Sequence, residues 1–282
     1  NAKPYRPDGI VLGSEIFEEI MKEDKYVTAQ YPFKSLNDKT HGLRKGELTT
    51  ITAGTGVGKS SFCRHVALDL LKQDFGVGYI ALEESIKRSA LGIMGVHLKK
   101  PLHLTREGIS ETQLQETFKS TIGNGNFYLY NHFGNTVADS LLNKIRYLAK
   151  SCEVDFVVLD HLHMALSALG DEHTNDERKL IDYFVSKLRT LVEETGIGVI
   201  LISHLRRSEG DKGFEDGKEV TMNSLRGSAS IGQLSDLIIG INRDIKSDKK
   251  LANLTILKNR FSGETGKACT LLYDLDTGCL SE

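Results

Sequence analysis

The sequence predicts an α/β fold: a mostly parallel sheet with helices on both faces, an antiparallel C-terminal extension and an N-terminal linker helix. Three observations carry this. Short apolar runs alternate with helical patterns from Gly46 onward, which is the signature of a parallel sheet. Those runs are apolar throughout rather than every second residue, so both faces of the sheet must be covered. Beyond residue 236 the strand-like runs follow one another across short polar turns with no long helix between them, as antiparallel pairing allows.

In chain order, residues 1–12 read as an extended arm. Residues 14–25, SEIFEEIMKEDK, suit a short amphipathic helix with Ser14 as N-cap and Ile16, Phe17, Ile20 and Met21 on one face. So short a helix is stable only where that face docks. Residues 26–45 read as an irregular connector with Pro32 and several turn formers. Strands are expected at 47–53, 76–82, 156–160 and 197–203, and helices near 59–73, 84–97, 110–121, 136–151 and 175–195. The antiparallel extension comprises 236–243, 251–260 and 267–274. The expected division is an arm and linker helix, residues 1–30, and one domain, residues 31–282.

The 282 residues, 39% apolar and 26% charged, suit a soluble protein with a sizeable core. No apolar run approaches the roughly 20 residues that span a bilayer, so no membrane partner is expected. The N-terminus NAKPYRPDGIV has neither a signal-peptide pattern nor an initiator Met, which suggests a piece of a longer polypeptide. Cys63, Cys152, Cys269 and Cys279 lie far apart without metal-ligand spacing and read as reduced thiols. A net charge of −2 does not advertise nucleic-acid binding, so any such contact must rest on local geometry.

The segment AGTGVGKS (53–60) fits the phosphate-binding loop, except that Ala53 stands where the strict pattern has Gly. Gly54, Gly56 and Gly58 are expected to take positive φ, so that successive N–H groups, with Thr55, Val57 and Ser61 in the same run, line an anion-sized hollow. The helix beginning near Lys59 adds its positive end. Lys59 reaches the β- and γ-phosphates, and the Ser60 hydroxyl suits Mg²⁺. Asp160 ends the run FVVLD, where a carboxylate can hold the metal's hydration shell. Glu83 and Glu84 end YIALEE, and Glu83 is better placed to act as base on the attacking water. His204 ends VILISH, where an imidazole can sense the γ-phosphate. Sites in open parallel sheets form beyond the carboxyl ends of strands, so these ends make one constellation. His161 and His163 flank Leu162 as an HxH pair, but no Cys joins them and zinc is not expected. His65, His97 and His103 read as structural or surface residues.

Taken in order, the motifs FKSLNDKTHGLRKGELTTITAGTGVGKS, LEES, FVVLDH, ISHLRR, LRGSASIGQLSD, INRD, LKNRFSGETG and LYDLDTG resemble the RecA-like hexameric replicative helicases of the DnaB and Twinkle group. They look closest to the helicase half of short-tailed-phage primase–helicases. The resemblance implies a RecA-like P-loop NTPase core and a ring, six copies in the family pattern, with ATP or dTTP between subunits. Single-stranded DNA would run through the channel with 5′ to 3′ polarity, and a primase would be linked or associated. It also implies a phage protein acting in the host cytoplasm. Arg260 matches the arginine finger that reaches a neighbour's γ-phosphate, and on spacing alone is a surface arginine. Gln233 matches a γ-phosphate-sensing glutamine next to the channel. Arg243 and Tyr273 match contacts to the base and sugar, although Tyr273 otherwise reads as core. In that family the segment equivalent to 14–25 packs on the adjacent subunit.

DNA contact falls to two loops. LRRSEGDKGFEDGKEV (205–220) directly follows His204 and offers Arg206, Arg207 and Lys212, although its acidic residues outnumber these. NSLRGSAS (223–230) offers Arg226 and the N–H groups around Gly227. Phosphate contacts of this kind are sequence-tolerant and salt-sensitive. The leading expectation is a DNA-stimulated helicase motor. A RecA-type recombinase filament and a non-motor nucleotide switch are the alternatives.

Overall fold

A computed structural model of the chain describes residues 11–21, 28–54, 56–131, 138–161, 174–205, 213–214, 218–225, 229–243 and 250–282. Six strands build the parallel part of the main sheet: β3 (Leu48–Ala53), β4 (Val77–Ala81), β5 (Phe127–Leu129), β6 (Phe156–Asp160), β7 (Gly198–His204) and β8 (Leu237–Asn242). β9 (Leu251–Asn259), β10 (Gly266–Tyr273) and β11 (Leu280–Ser281) extend it antiparallel. The order across the nine strands is β11-β10-β9-β8-β3-β7-β6-β4-β5. The expected architecture is therefore present, but β5 and β11 were not expected as strands, and the C-terminal grouping needs correction. The run 236–243 was grouped with the antiparallel extension, yet β8 lies parallel to β3, and the antiparallel pairing starts between β8 and β9. The short helix α8 (Ala229–Leu234) before it brings the chain back to the starting edge of the sheet.

Both faces are covered, as the uniformly apolar strands require. On one side α3 (Lys59–Lys72), α4 (Ile86–Leu98) and α5 (Glu111–Ser120) pack over Ile51, Tyr79, Phe156 and Ile239. On the other, α6 (Ala138–Lys150) and α7 (Thr174–Thr195) pack over Leu48, Ile80, Val157 and Leu201. Each of these fully buried apolar side chains contributes about 1.5–3 kcal/mol against exposure. Ser85 caps α4 by accepting from the N–H of Arg88, and Ser110 with Gln113 forms a capping box on α5. Both caps are local signals that end one element and start the next.

The connector 26–45 is more ordered than its composition suggests. It holds a two-stranded ribbon, β1 (Thr28–Ala29) with β2 (Leu43–Arg44), around the helix α2 (Lys34–Thr40). The organiser is Arg44, buried with its Nε on Glu47 at 2.6 Å and an Nη1 on the carbonyl of Thr40 at 2.9 Å. Its guanidinium also lies 4.1 Å from the centre of the Phe261 ring. At the N-terminus, Ser14 sits in a 3-10 turn (Gly13–Glu15), and the α-helix α1 covers only Phe17–Ile20, not 14–25. Residues 22–25 of that expectation lie outside the described residues. Phe17, Ile20 and Met21 are exposed. All four cysteines are free thiols, and among the described residues no helix is long and apolar enough to cross a membrane.

The C-terminal strand is tied to the phosphate-loop helix through His65 on α3. The Leu280 N–H donates to His65 Nε2 at 3.0 Å, so the ring proton sits on Nδ1 and is given to the Ser61 carbonyl at 2.9 Å. Glu282 then accepts from the N–H groups of Lys34 and Ser35, both at 3.0 Å, at the start of α2. Burial holds the His65 imidazole below its ordinary range. The folded chain therefore keeps the ring neutral, and its contribution is full above the unfolded pKa of about 6.5 and is lost as pH falls through the lower folded value. His65→Leu is expected to lower stability by about 1 kcal/mol at pH 7.5. The gap to wild type should narrow toward pH 5 in thermal melts.

Candidate active site

The parallel register aligns Ala53 with His204 and Ala81 with Asp160, so the ends of β3, β4, β6 and β7 form one edge. The phosphate loop leaves that edge. Gly56 and Gly58 take φ of 72° and 112°, as a nest of N–H groups requires. Gly54 does not take positive φ, which corrects the expectation for it. Its need is space: a Cβ there would stand 3.1 Å from the Cβ of Phe214. Lys59 is buried and its Nζ donates to the carbonyls of Ala53 and Gly54 at 3.0 and 2.8 Å. The loop's own carbonyls thus hold the ammonium where a polyphosphate would lie. Val57 is buried and Ser61 half-buried, while Thr55 lies outside the described residues.

Ser60 Oγ donates to Asp160 Oδ2 at 2.7 Å. Asp160 is buried, and burial pushes its carboxyl above the usual range, opposed by the Ser60 hydroxyl and then by His161. A desolvated carboxylate beside a hydroxyl is a hard, all-oxygen donor pair, which fits Mg²⁺. Both line a cavity of about 380 Å³ with Ala81, Glu83, Glu84, Ser85 and Arg88. The two glutamates differ sharply. Glu84 accepts from Arg64 and Ser89 at 2.6 and 2.7 Å, with Arg88 at 3.6 Å. Glu83 is 54% exposed at the side chain and is paired with His161 Nε2. The His161 ring meets that of His204 edge-on, centroids 4.1 Å apart.

Arg260 lies at the opposite edge. Its N–H donates to the Asp236 carbonyl at 2.8 Å, and Asp236 pairs with Leu48 at the start of β3. Five strand steps of about 3.3 Å separate Leu48 from Ala53, so roughly 17 Å divides Arg260 from its own phosphate loop. Nη1 is held by Asp236 Oδ1 at 3.0 Å and Nη2 by the Gln233 carbonyl at 3.2 Å. The Arg260 side chain is 54% exposed all the same. Gln233, which matches a γ-phosphate-sensing glutamine, lies beside Arg260 at this far edge, its carbonyl accepting from Nη2. The turn after β9 is closed by a side chain of its own. Asn259 Oδ1 accepts from the N–H groups of Phe261 and Ser262, both at 3.2 Å.

Arg243 and Tyr273 are brought together, the guanidinium 5.9 Å from the ring centre, at the ends of β8 and β10. The Arg243 Nε is buried with no hydrogen-bond partner among the described residues. Tyr273 lines a narrow cleft that also touches Ser61 and Arg64, just past the phosphate loop. Arg206, Arg207, Lys212, Arg226 and Gly227 lie outside the described residues, as do His163 and the acidic positions 209, 211, 215 and 216. Sequence reasoning missed Phe214 and Asp236, and weighed His161 only as half of a metal-ligand pair. Asp236 is buried and gathers Leu48 N–H, Arg189 and Arg260. A lone aspartate before an apolar strand was the only available signal for it.

Comparisons with known proteins bear on the family and the fold. The model of the DnaB-like helicase C-terminal domain matches residues 29–277. The chain belongs to that family. The DnaB-like domain is 36% identical to a DNA helicase/primase of Enterobacteria phage T3 over 99% of the chain. It is 28% identical to a probable plasmid replicative DNA helicase of Chlamydia trachomatis over 81%. The chain spans 51% and 49% of these two relatives, about half the length of each. Among solved structures, a DnaB-like replicative helicase, described with its interactions with primase, superposes with a TM-score of 0.74 at 22% identity. The superposition covers 95% of this chain and 65% of that one. That likeness speaks for the RecA-like fold.

Proposed function

We propose that this DnaB-like domain is the motor of a ring-forming replicative DNA helicase. It hydrolyses ATP or dTTP with Mg²⁺ and moves 5′ to 3′ on single-stranded DNA to part the duplex. The observation that carries this reading is the division of the site. The phosphate loop and Glu83 stand at one edge of the sheet and Arg260 at the other, so the machinery is whole only between two copies. A heterologous contact of that kind closes into a ring or runs on as a filament. The names of the relatives, a helicase/primase and a replicative helicase, support the helicase over the recombinase.

In the mechanism, Ser60 and Asp160 hold the metal, which neutralises phosphate charge when bound. Lys59 leaves its loop carbonyls for the β- and γ-phosphates. Glu83 takes the proton of the attacking water, and Arg243 with Tyr273 clasps the base. Arg260 of one copy, with Gln233 beside it, supplies the far side of the neighbour's γ-phosphate. His204 reports phosphate state to the loops that carry Arg206, Arg207, Lys212, Arg226 and Gly227. Residues 1–30 act as an arm whose exposed Phe17, Ile20 and Met21 dock on the next copy. A primase is linked or associated, as the T3 relative's name suggests, and the site of action is the host cytoplasm.

The experiment is nucleotide hydrolysis with and without single-stranded DNA, with particle imaging of the same sample. Rings and at least tenfold stimulation are expected, and deletion of residues 1–25 should disperse the rings. Filaments would favour the recombinase, and hydrolysis indifferent to DNA would favour the switch.

A further inference from the structure

We propose that Asp236 is the positioning residue for the Arg260 finger: it fixes the guanidinium at the rim before a neighbouring copy arrives. The proposal rests on the reading of Arg260 as the finger. Asp236 ties that residue at both ends. Its carbonyl accepts from the Arg260 N–H at 2.8 Å, and its Oδ1 accepts from Nη1 at 3.0 Å. Asp236 is itself anchored to the root of β3. Its N–H donates to the Leu48 carbonyl at 2.8 Å, and its Oδ2 accepts from the Leu48 N–H at 2.9 Å. The finger is therefore set on the strand whose other end leads into the phosphate loop.

The two carboxylate oxygens have separate duties. Oδ2 faces inward, to Leu48 and to Arg189 on α7, whose Nε is held in turn by Glu193 at 2.8 Å. The Arg189 side chain is 17% exposed against 54% for Arg260, so Arg189 is the cation that offsets the burial of Asp236. Oδ1 is left for the finger. A half-exposed arginine added to a carboxylate that is already paired gains little stability. What it gains is a fixed place. Nη2 is held as well, by the Gln233 carbonyl at 3.2 Å, and the same carbonyl accepts from Lys258 Nζ at 2.9 Å. Among the described residues, two of the five guanidinium N–H groups are engaged in this way, which leaves three for phosphate oxygens. A cation ordered in advance does not have to be ordered when the transition state forms.

The test is the kcat and KM of the full chain with saturating oligo-dT, for wild type, Asp236→Asn, Arg260→Ala and the double variant. Nucleotide affinity is read separately with a fluorescent analogue. An amide at 236 has one acceptor, which the two buried donors, the Leu48 N–H and Arg189, claim. Its NH₂ is then turned to Arg260, which cannot accept. Asp236→Asn is expected to lower kcat about thirtyfold, in the range of one charge-assisted hydrogen bond. KM and nucleotide affinity should stay unchanged. Placed on Arg260→Ala, the same change should cost nothing further, because it acts through that residue alone. Mixing assigns the lesion to one side of the interface. Asp236→Asn mixed with Lys59→Ala should be at least as active as Arg260→Ala mixed with Lys59→Ala, and mixed with Arg260→Ala should regain nothing. Asp236→Asn at the wild-type kcat overturns the proposal. So does lost nucleotide affinity, or rescue by Arg260→Ala, either of which puts the lesion at the copy's own phosphate loop, and so does rescue by neither partner. If Asp236→Asn does not fold in a thermal melt, Asp236→Glu decides on the same criteria, since it keeps both acceptors and displaces the one that holds the finger. Arg260→Ala separates the two readings. Turnover at the wild-type rate there means that the finger assignment has failed. An inactive Arg260→Ala beside unaltered Asp236 variants means that only the positioning has.

Discussion

Chains carrying Arg260→Ala and chains carrying Lys59→Ala, each inactive alone, are expected to hydrolyse nucleotide when mixed. The expectation comes from the roughly 17 Å of β3 that separates the two residues within one chain. A copy that has lost its finger still has an intact phosphate loop, and a copy that has lost Lys59 still has an intact finger. Where the first presents its nucleotide to the second, the site is whole. In an equal mixture about a quarter of the interfaces are of this kind, by the arithmetic of a heterologous contact. Activity near that fraction of wild type is the ceiling, and cooperation between sites lowers it. Arg260→Ala alone should lose about 10³-fold in kcat, the usual worth of such a cation at a phosphoryl group. A mixture as inactive as its components would mean that Arg260 serves no neighbour. Hydrolysis by Arg260→Ala alone at the wild-type rate would remove it from the chemistry altogether.

Glu83→Gln should be a severe lesion in kcat and a mild one in binding. The amide keeps the size of the carboxylate but cannot take a proton, and removing a positioned general base costs about 10²–10⁴-fold. Nucleotide affinity should stay near wild type, because Lys59, Ser60 and Asp160 are untouched. The comparison that matters is Glu84→Gln. Both oxygens of Glu84 are committed, to Arg64 on one side and Ser89 on the other. The structure therefore argues against Glu84 as a substitute base. Its amide variant should lose stability and local order around α4, and should retain turnover in whatever fraction stays folded. Single-turnover kinetics and a thermal melt separate the two outcomes.

The sequence was most legible where chemistry and geometry coincide. Each strand end bearing a polar residue after an apolar run, at Asp160, Glu83 and His204, falls on the edge from which the phosphate loop departs. A parallel sheet leaves such residues no other place to go. Less was legible where long-range packing decides. The connector 26–45 looked irregular because Arg44 organises it from within, and a buried arginine is invisible to periodicity. Gly54 was read as a residue of unusual φ, when what it supplies is room for a side chain 160 positions away. That Gln233 lies beside Arg260 was not legible either, because sequence gives no account of which edge a helix ends on. α8 runs to the starting edge, and the Lys258 ammonium holds its last carbonyls there at 2.7 and 2.9 Å.

The contact between Phe214 and Gly54 has a thermodynamic corollary. If the segment around Phe214 grips the strand, as proposed, it shares a wall with the phosphate loop, and the wall has one position for both tenants. By linkage, whatever factor bound nucleotide imposes on the affinity for single-stranded DNA, DNA must impose on the affinity for nucleotide. Trimming the aromatic ring to a methyl group loosens both effects together. The two binding constants should then become indifferent to each other by the same ratio, whichever ligand is titrated first.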